Sequence, residues 1–275
     1  MEPLKIDVAG VLRDKNPKLF KRLPNFMLRY LERIIHQKEM NDFLASNGHL
    51  KNFEFCDAVV KELNLKITFH GIEKIPKTGP VILVMNHPLG GIDGIALIKS
   101  FKNVRQDLVF ISNDILLKMT PLKDFFVGIN KHGNNTSETR NNIHNMFHSH
   151  KAVCIFPAGL VSRKYQGLII DAEWKKTFVT YAKKTGHTVI PIHIDGRLSP
   201  WFYGLCRLRT FFGIKSAIEM LYLADEMYKQ KNKQVIFTAG EPLTIPADSP
   251  IGDYDLAQQI KNEVYLIPQR RAKGN

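Results

Sequence analysis

Five short stretches of this chain are apolar at almost every position: Val81-Ile82-Leu83-Val84-Met85, Leu108–Ile111, Ala152–Phe156, Val189–Ile192 and Val235–Phe237. Runs of three to five residues are too short for helices, and these have no polar side to turn toward water. They read as strands buried on both faces. Segments 52–63, 94–101, 138–149, 171–185 and 216–230 carry helical patterning between or before them, and Leu65-Lys66-Ile67-Thr68-Phe69 alternates as a strand does. Strands without a polar face that alternate with helices predict an α/β fold: a largely parallel central sheet covered by helices on both faces. A chain of 275 residues suits one such domain, over 64–275, behind a helical N-terminal extension over 1–63.

Charge narrows the partners. The net charge of +13 favours a polyanion, either nucleic acid or an anionic membrane surface. No zinc-finger spacing, aromatic RNA-reading motif or basic zipper is present, so nucleic acid has the charge but no reader. No run of about 20 apolar residues predicts a spanning helix, and Met1–Asp7 has no apolar core of a signal peptide. Cys56, Cys154 and Cys206 are far apart and match no metal spacing, so no metal is expected. Cys154, inside an apolar run, reads as a buried thiol, and a reducing cytoplasm fits all three. Residues 17–37 carry an apolar stripe at three- and four-residue steps, with Lys18, Lys21, Arg22 and Arg29 off it and Pro24 splitting it into two helices as a first-turn residue of the second. A basic amphipathic stretch of this kind can lie in a membrane interface; it can equally pack on the protein's own core. Between 197 and 215, Trp201, Phe202, Tyr203, Phe211 and Phe212 are interleaved with cations, which makes Trp201 and Phe202 further candidates for membrane contact, with core packing or an acyl-chain tunnel as the other readings.

The chemistry sits in Asn86-His87-Pro88-Leu89-Gly90-Gly91-Ile92-Asp93-Gly94, the exit from the Val81–Met85 strand. An imidazole takes a proton near neutral pH, and a carboxylate a short loop away can fix its tautomer and steady its cation. A His near an Asp is often only a structural contact; Gly90 and Gly91, which allow close backbone approach, point beyond that. Three other segments bring polar residues past a buried run. Phe156-Pro157-Ala158-Gly159-Leu160-Val161-Ser162-Arg163-Lys164 supplies a hydroxyl and cations that suit an anionic ligand or a solvated turn. Val127–Asn135, with Asn130 and Lys131, is a polar glycine-containing loop. In Val189–Arg197, His193 and Asp195 read as a local structural contact.

In order and rough spacing, Asn86-His87…Asp93, Gly128-Ile129-Asn130-Lys131, Phe156-Pro157-Ala158-Gly159…Ser162-Arg163 and Val189-Ile190-Pro191-Ile192 resemble the four blocks of the glycerolipid acyltransferase family, over about residues 65–245. The resemblance implies an acyltransferase domain over 64–275. It also implies acyl transfer from acyl carrier protein or coenzyme A, as co-substrate and without a bound cofactor, to a lipid hydroxyl at the cytoplasmic face of the inner membrane. It implies His87 as general base with Asp93 orienting it. Asn86, Gly90, Gly91, Asn130, Lys131, Phe156, Pro157, Gly159, Ser162 and Arg163 then fall at the substrates. Two departures stand out. Five residues separate His87 from Asp93 where the family usually has four, and Ala158, Leu160 and Val161 replace the usual glutamate, threonine and arginine of the third block. The eroded block resembles the bacterial branch that acylates lyso-aminolipids such as lyso-ornithine or lyso-glycine lipids. The alternatives are a 1-acylglycerol-3-phosphate acyltransferase that makes phosphatidate and a non-catalytic lipid-binding protein.

Overall fold

The computed structural model describes residues 5–113, 119–129 and 137–273. Asn130 and Lys131, two of the residues matched to the family's blocks, lie outside them. The helices α1 (Val8–Lys15), α2 (Pro17–Arg22), α3 (Asn25–Ile34), α4 (Gln37–Asn47) and α5 (Asn52–Glu62) precede β1 (Lys66–His70). Then follow β2 (Val81–Met85), α6 (Gly91–Phe101), β3 (Leu108–Asn113), β4 (Phe126–Ile129), α7 (Ser137–Phe147) and β5 (Ala152–Ile155). The hairpin β6 (Arg163–Tyr165) and β7 (Leu168–Ile170) leads to α8 (Thr177–Thr185), β8 (Thr188–Asp195), α9 (Pro200–Phe211), α10 (Leu223–Tyr228), β9 (Gln234–Ala239) and α11 (Asp253–Lys273).

Seven strands form one sheet in the order β1-β9-β8-β2-β5-β3-β4. β8, β2, β5, β3 and β4 run parallel, and β9 pairs antiparallel to β8, so β9 and β1 run against the other five. The expected, largely parallel sheet is present with this reversed edge. Because successive strand side chains point to opposite faces, each apolar run feeds two cores. Val81, Leu83 and Met85 of β2 enter one with α5, α6 and α9, while Ile82 and Val84 enter the other with α7, α8 and α11. β5 divides in the same way, Ala152 and Cys154 against Val153 and Ile155. Leu44 of α4 and Phe55, Cys56 and Val59 of α5 belong to the first core, so these helices share the sheet's own packing.

Several expected elements shift. Helix α8 starts at Thr177 rather than 171, because residues 171–176 stay irregular to bring Asp171 and Trp174 inward. The 216–230 helix is a 3-10 turn over Ile218–Tyr222 followed by α10. Pro24 is the N-cap of α3, one position before the first turn.

The turn out of β2 depends on one glycine. Gly90 has φ 69°, ψ −132°, a conformation that a side chain strains, and a Cβ there would meet Val161 Cγ1 at 3.4 Å. Gly91 begins α6, and a Cβ there would meet nothing within 4 Å. Gly90→Ala is therefore expected to lower stability by about 1–3 kcal/mol, and Gly91→Ala by well under that, as read by urea unfolding. Equal costs at the two positions would refute the assignment of the turn to Gly90.

Candidate active site

The carboxyl ends of β2, β5 and β8 lie side by side, the edge where open parallel sheets commonly hold ligands. Asn86 continues β2 and is pinned to β8: its Nδ2 donates to Ile194 O at 2.9 Å and its Oδ1 accepts from Ile194 N at 2.7 Å. Both ends of that amide are thereby occupied, so Asn86 fixes the strand exit and has little left for a substrate. The next residue, His87, keeps its ring at the surface of the edge, 20 % exposed.

Gly90 turns the chain, and α6 starts at once, with Asp93 in its first turn, where the helix N-terminus favours a negative charge. The five-residue spacing thus closes without strain elsewhere: His87 Nδ1 lies 2.9 Å from Asp93 Oδ2. Oδ2 also accepts from Leu89 N at 2.9 Å, while Oδ1 has no hydrogen-bond partner. Asp93 is 0 % exposed, and burial raises its pKa above the ordinary carboxylate value against the opposing pull of His87. With Asp93 ionised, Nδ1 carries the imidazole proton and Nε2 presents its lone pair. Phe156, just past β5, stacks on the His87 ring at 4.2 Å between centroids and fixes its plane.

The segment after β5 returns to the same place. Gly159 takes φ 67°, and Val161, Ser162 and Arg163 then run past the His87 loop. Ser162 N donates to His87 O at 2.8 Å, and the Ser162 hydroxyl donates to Asp171 Oδ1 at 2.6 Å. Asp171, 3 % exposed, also accepts from His87 N at 3.3 Å and from the Trp174 indole N–H at 2.9 Å. Sequence reasoning missed this residue: its contacts to His87 span 84 positions. Arg163 is engaged too. It donates to Val161 O at 2.8 Å, pairs with fully buried Glu219 at 3.0 Å, and stacks over Phe202.

Several sequence-matched residues therefore meet around His87: Asp93, Phe156 and Ser162 by direct contact, with Gly90 turning the chain between His87 and Asp93. Pro157 is buried, and Gly91 is exposed at the start of α6. The membrane candidates divide. Lys18, Lys21, Arg22 and Arg29 are exposed, as is Trp201 at 57 %, but Phe202 is 0 % exposed beneath Arg163 and belongs to the core. Phe202 is thus withdrawn as a membrane contact, because its ring has no free surface to offer.

The family model described as Acyltransferase matches residues 10–267. Among known proteins, a lyso-glycine lipid O-acyltransferase of Bacteroides thetaiotaomicron is 39% identical over 264 residues, covering 95% of this chain and 97% of that protein. A protein of the same description from Phocaeicola vulgatus is 37% identical over 264 residues, covering 95% of each. The crystal structure of the 1-acyl-sn-glycerophosphate (LPA) acyltransferase PlsC from Thermotoga maritima aligns at a TM-score of 0.47 with 18% identity, over 90% of this chain and 93% of that one. The chain belongs to the acyltransferase family and is an acyltransferase.

His193, the other histidine at this edge, is a different kind of group. Burial pushes it down from 6.5 to about 4, with Asp195 raising and Arg271 lowering it by smaller amounts, and its ring meets Tyr265 edge-on. Burial favours its neutral form near pH 7, and no hydrogen bond joins it to Asp195 among the described residues. Since the unfolded chain binds this proton more readily, its contribution to stability is complete above pH 6.5 and is lost as the pH falls toward 4. The loss amounts to roughly 2–3 kcal/mol. His193→Gln is expected to flatten that part of the stability curve in urea titrations between pH 7 and 4; an unchanged slope would refute it.

Proposed function

We propose that this acyltransferase moves a fatty acyl chain from the thioester of acyl carrier protein or coenzyme A onto the hydroxyl of a lyso-aminolipid, of the lyso-glycine type named for its relatives. The observation that carries the reading is the His87–Asp93 pair at the sheet edge, with its Nδ1 held and its ring plane fixed. His87 Nε2 takes the acceptor's hydroxyl proton as that oxygen attacks the thioester carbonyl. Asp93 stabilises the imidazolium. Collapse of the tetrahedral adduct breaks the carbon–sulfur bond, and the departing thiolate receives the proton from His87. Direct transfer is supported by the state of the obvious nucleophiles. The Ser162 hydroxyl is donated to Asp171. All three cysteines are buried, and burial pushes the Cys56 thiol up to about 12.

The preference for an aminolipid rests on the third block and on the relatives' names. Arg163, a natural phosphate ligand, instead neutralises Glu219, and Ala158, Leu160 and Val161 bring no charge. In a side-by-side assay of purified protein, lyso-glycine lipid should be acylated faster than lysophosphatidate, and His87→Ala should lose about 10²–10⁴-fold in rate. A clear preference for lysophosphatidate would transfer the assignment to phosphatidate synthesis; a wild-type rate in His87→Ala would remove the base.

The same reading has the enzyme docked on an anionic membrane surface, at the cytoplasmic face of the inner membrane. No helix among the described residues is long and apolar enough to cross a membrane. Support comes from two stretches that meet. α3 and α9 border one cavity of about 470 Å³ lined by Tyr30, Arg33, Trp201 and Tyr222, with the Tyr30 and Tyr222 hydroxyls 2.5 Å apart. On the same elements, just past α9 and on α2, Phe26, Met27, Trp201, Phe211 and Phe212 are exposed, Phe211 at 83 %, and so are Lys18, Lys21, Arg22 and Arg29. Rings at the headgroup level and cations on lipid phosphates suit that surface. Each cation near it contributes about 1 kcal/mol. Sedimentation with anionic liposomes should weaken with added salt and with Lys18, Lys21, Arg22 and Arg29 all changed to Gln; equal binding to neutral vesicles would refute the dock.

A further inference from the structure

We propose that Asp171 is a positioning residue for acyl transfer, acting on the backbone of His87 and not on its ring. The inference rests on the reading of His87 as the base. The peptide units on either side of His87 are gripped by one assembly. The N–H donates to Asp171 Oδ1, the C=O accepts from Ser162 N, and the Ser162 hydroxyl donates to that same Oδ1. Asp93 and Phe156 settle the ring's rotation and plane; the Asp171–Ser162 clamp settles where the Cα that carries the ring lies.

The clamp has a rigid anchor. Asp171 N donates to the Tyr265 hydroxyl at 2.7 Å, and Asp171 O accepts from Lys261 Nζ at 2.8 Å, both residues on α11. Three residues after Asp171, Trp174 is bonded twice by Gln258 of the same helix, which accepts from its N at 3.1 Å and donates to its O at 2.7 Å. α11 in turn lies against β8, a neighbour of β2 in the sheet. The His87 loop is therefore referenced to the frame at two points, through β2 and through Asp171.

The surroundings demand a carboxylate. Oδ1 faces two donors and Oδ2 faces the Trp174 indole N–H, so every partner of the side chain donates. An asparagine of the same shape has one oxygen and one NH2 group. In one orientation its NH2 confronts the indole N–H; in the other it confronts the His87 N–H. Either way one buried donor is left opposed, and the His87 peptide is the partner free to move, since Trp174 is held by Gln258.

A displacement of the order of 1 Å in a catalytic group can cost about 10²-fold. Asp171→Asn is therefore expected to lower kcat by about 10²-fold while KM for donor and acceptor stays within about twofold, because the clamp holds the base and not the substrates. In protein labelled with 15N-histidine, the His87 ring resonances, assigned by their absence in His87→Ala, should shift in Asp171→Asn while those of distant histidines stay. Adding Trp174→Phe removes the donor at Oδ2 and lets the asparagine oxygen face His87, so the double variant should regain kcat over Asp171→Asn. Ser162→Ala deletes only one arm and should give a smaller loss confined to kcat; it decides the matter should Asp171→Asn fail to fold. An unchanged kcat in the variant that folds, or a fall in kcat with unshifted His87 resonances, overturns the proposal. His87→Ala separates the two levels: a wild-type rate there overturns the base itself, whereas its loss of activity beside a wild-type Asp171→Asn overturns the positioning role alone.

Discussion

β2 has no face that touches water, and the rest of the molecule is arranged around that condition. All five of its residues are buried, with odd positions sealed by α5, α6 and α9 and even positions by α7, α8 and α11. A strand enclosed this way can present chemistry only where it ends, because its side chains elsewhere are packing. Asn86 marks the end by closing both of its hydrogen bonds on β8, and His87 is the first residue past the seal. The histidine stands at the sheet edge because the five residues of β2, separated from it by Asn86 alone, are too apolar to stand anywhere but inside.

Burying polar groups beside such a core carries a second constraint: each must be met by partners from the protein. Asp93 is met through Oδ2 alone, by His87 and Leu89, and Asp171 through both oxygens, by His87, Ser162 and Trp174. Glu219 is met by Arg163 and by Arg209, whose Nε lies 2.9 Å from Oε2 as an ion pair but out of line for a hydrogen bond. These obligations redistribute roles. Asn86, Ser162 and Arg163 look like ligand-binding residues by type and position, yet the amide of Asn86, the hydroxyl proton of Ser162 and the two terminal nitrogens of Arg163 are engaged by internal partners. What they hold in place is the histidine loop and the segment that faces it.

The apolar strands were legible because a wholly buried strand needs nothing but apolar residues, and the His87–Asp93 pair because the two lie only six positions apart, across the turn from β2 into α6. β4 was not: Phe126-Val127-Gly128-Ile129 runs into a polar, glycine-containing stretch and reads as loop. The β6–β7 hairpin hid behind its charges, since Arg163 and Lys164 look like ligand cations, although Gln166-Gly167, both at positive φ, is a good two-residue turn. α11 carries a readable stripe in Ala257, Ile260, Val264 and Ile267, interrupted by Pro268 near its end. Asp171 had no local signature at all. At the start of an apparent helix it resembles an N-cap, and its meaning comes from partners brought together by the fold.

The pairing of Arg163 with Glu219 links surface to centre. Arg209 of α9 and Arg163 of β6 share one buried carboxylate, so the end of α9, with Phe211 and Phe212 exposed, is tied to the segment that holds His87 O and Asp171. A lone buried glutamate would be costly, and two guanidinium groups from different elements make the position tenable only while both elements stay docked. The exposed aromatic rim and the histidine loop therefore belong to one mechanical unit. Arg163, held by Glu219, ties the two elements together, while the small and apolar Ala158 and Val161 of the same segment pack into the two cores.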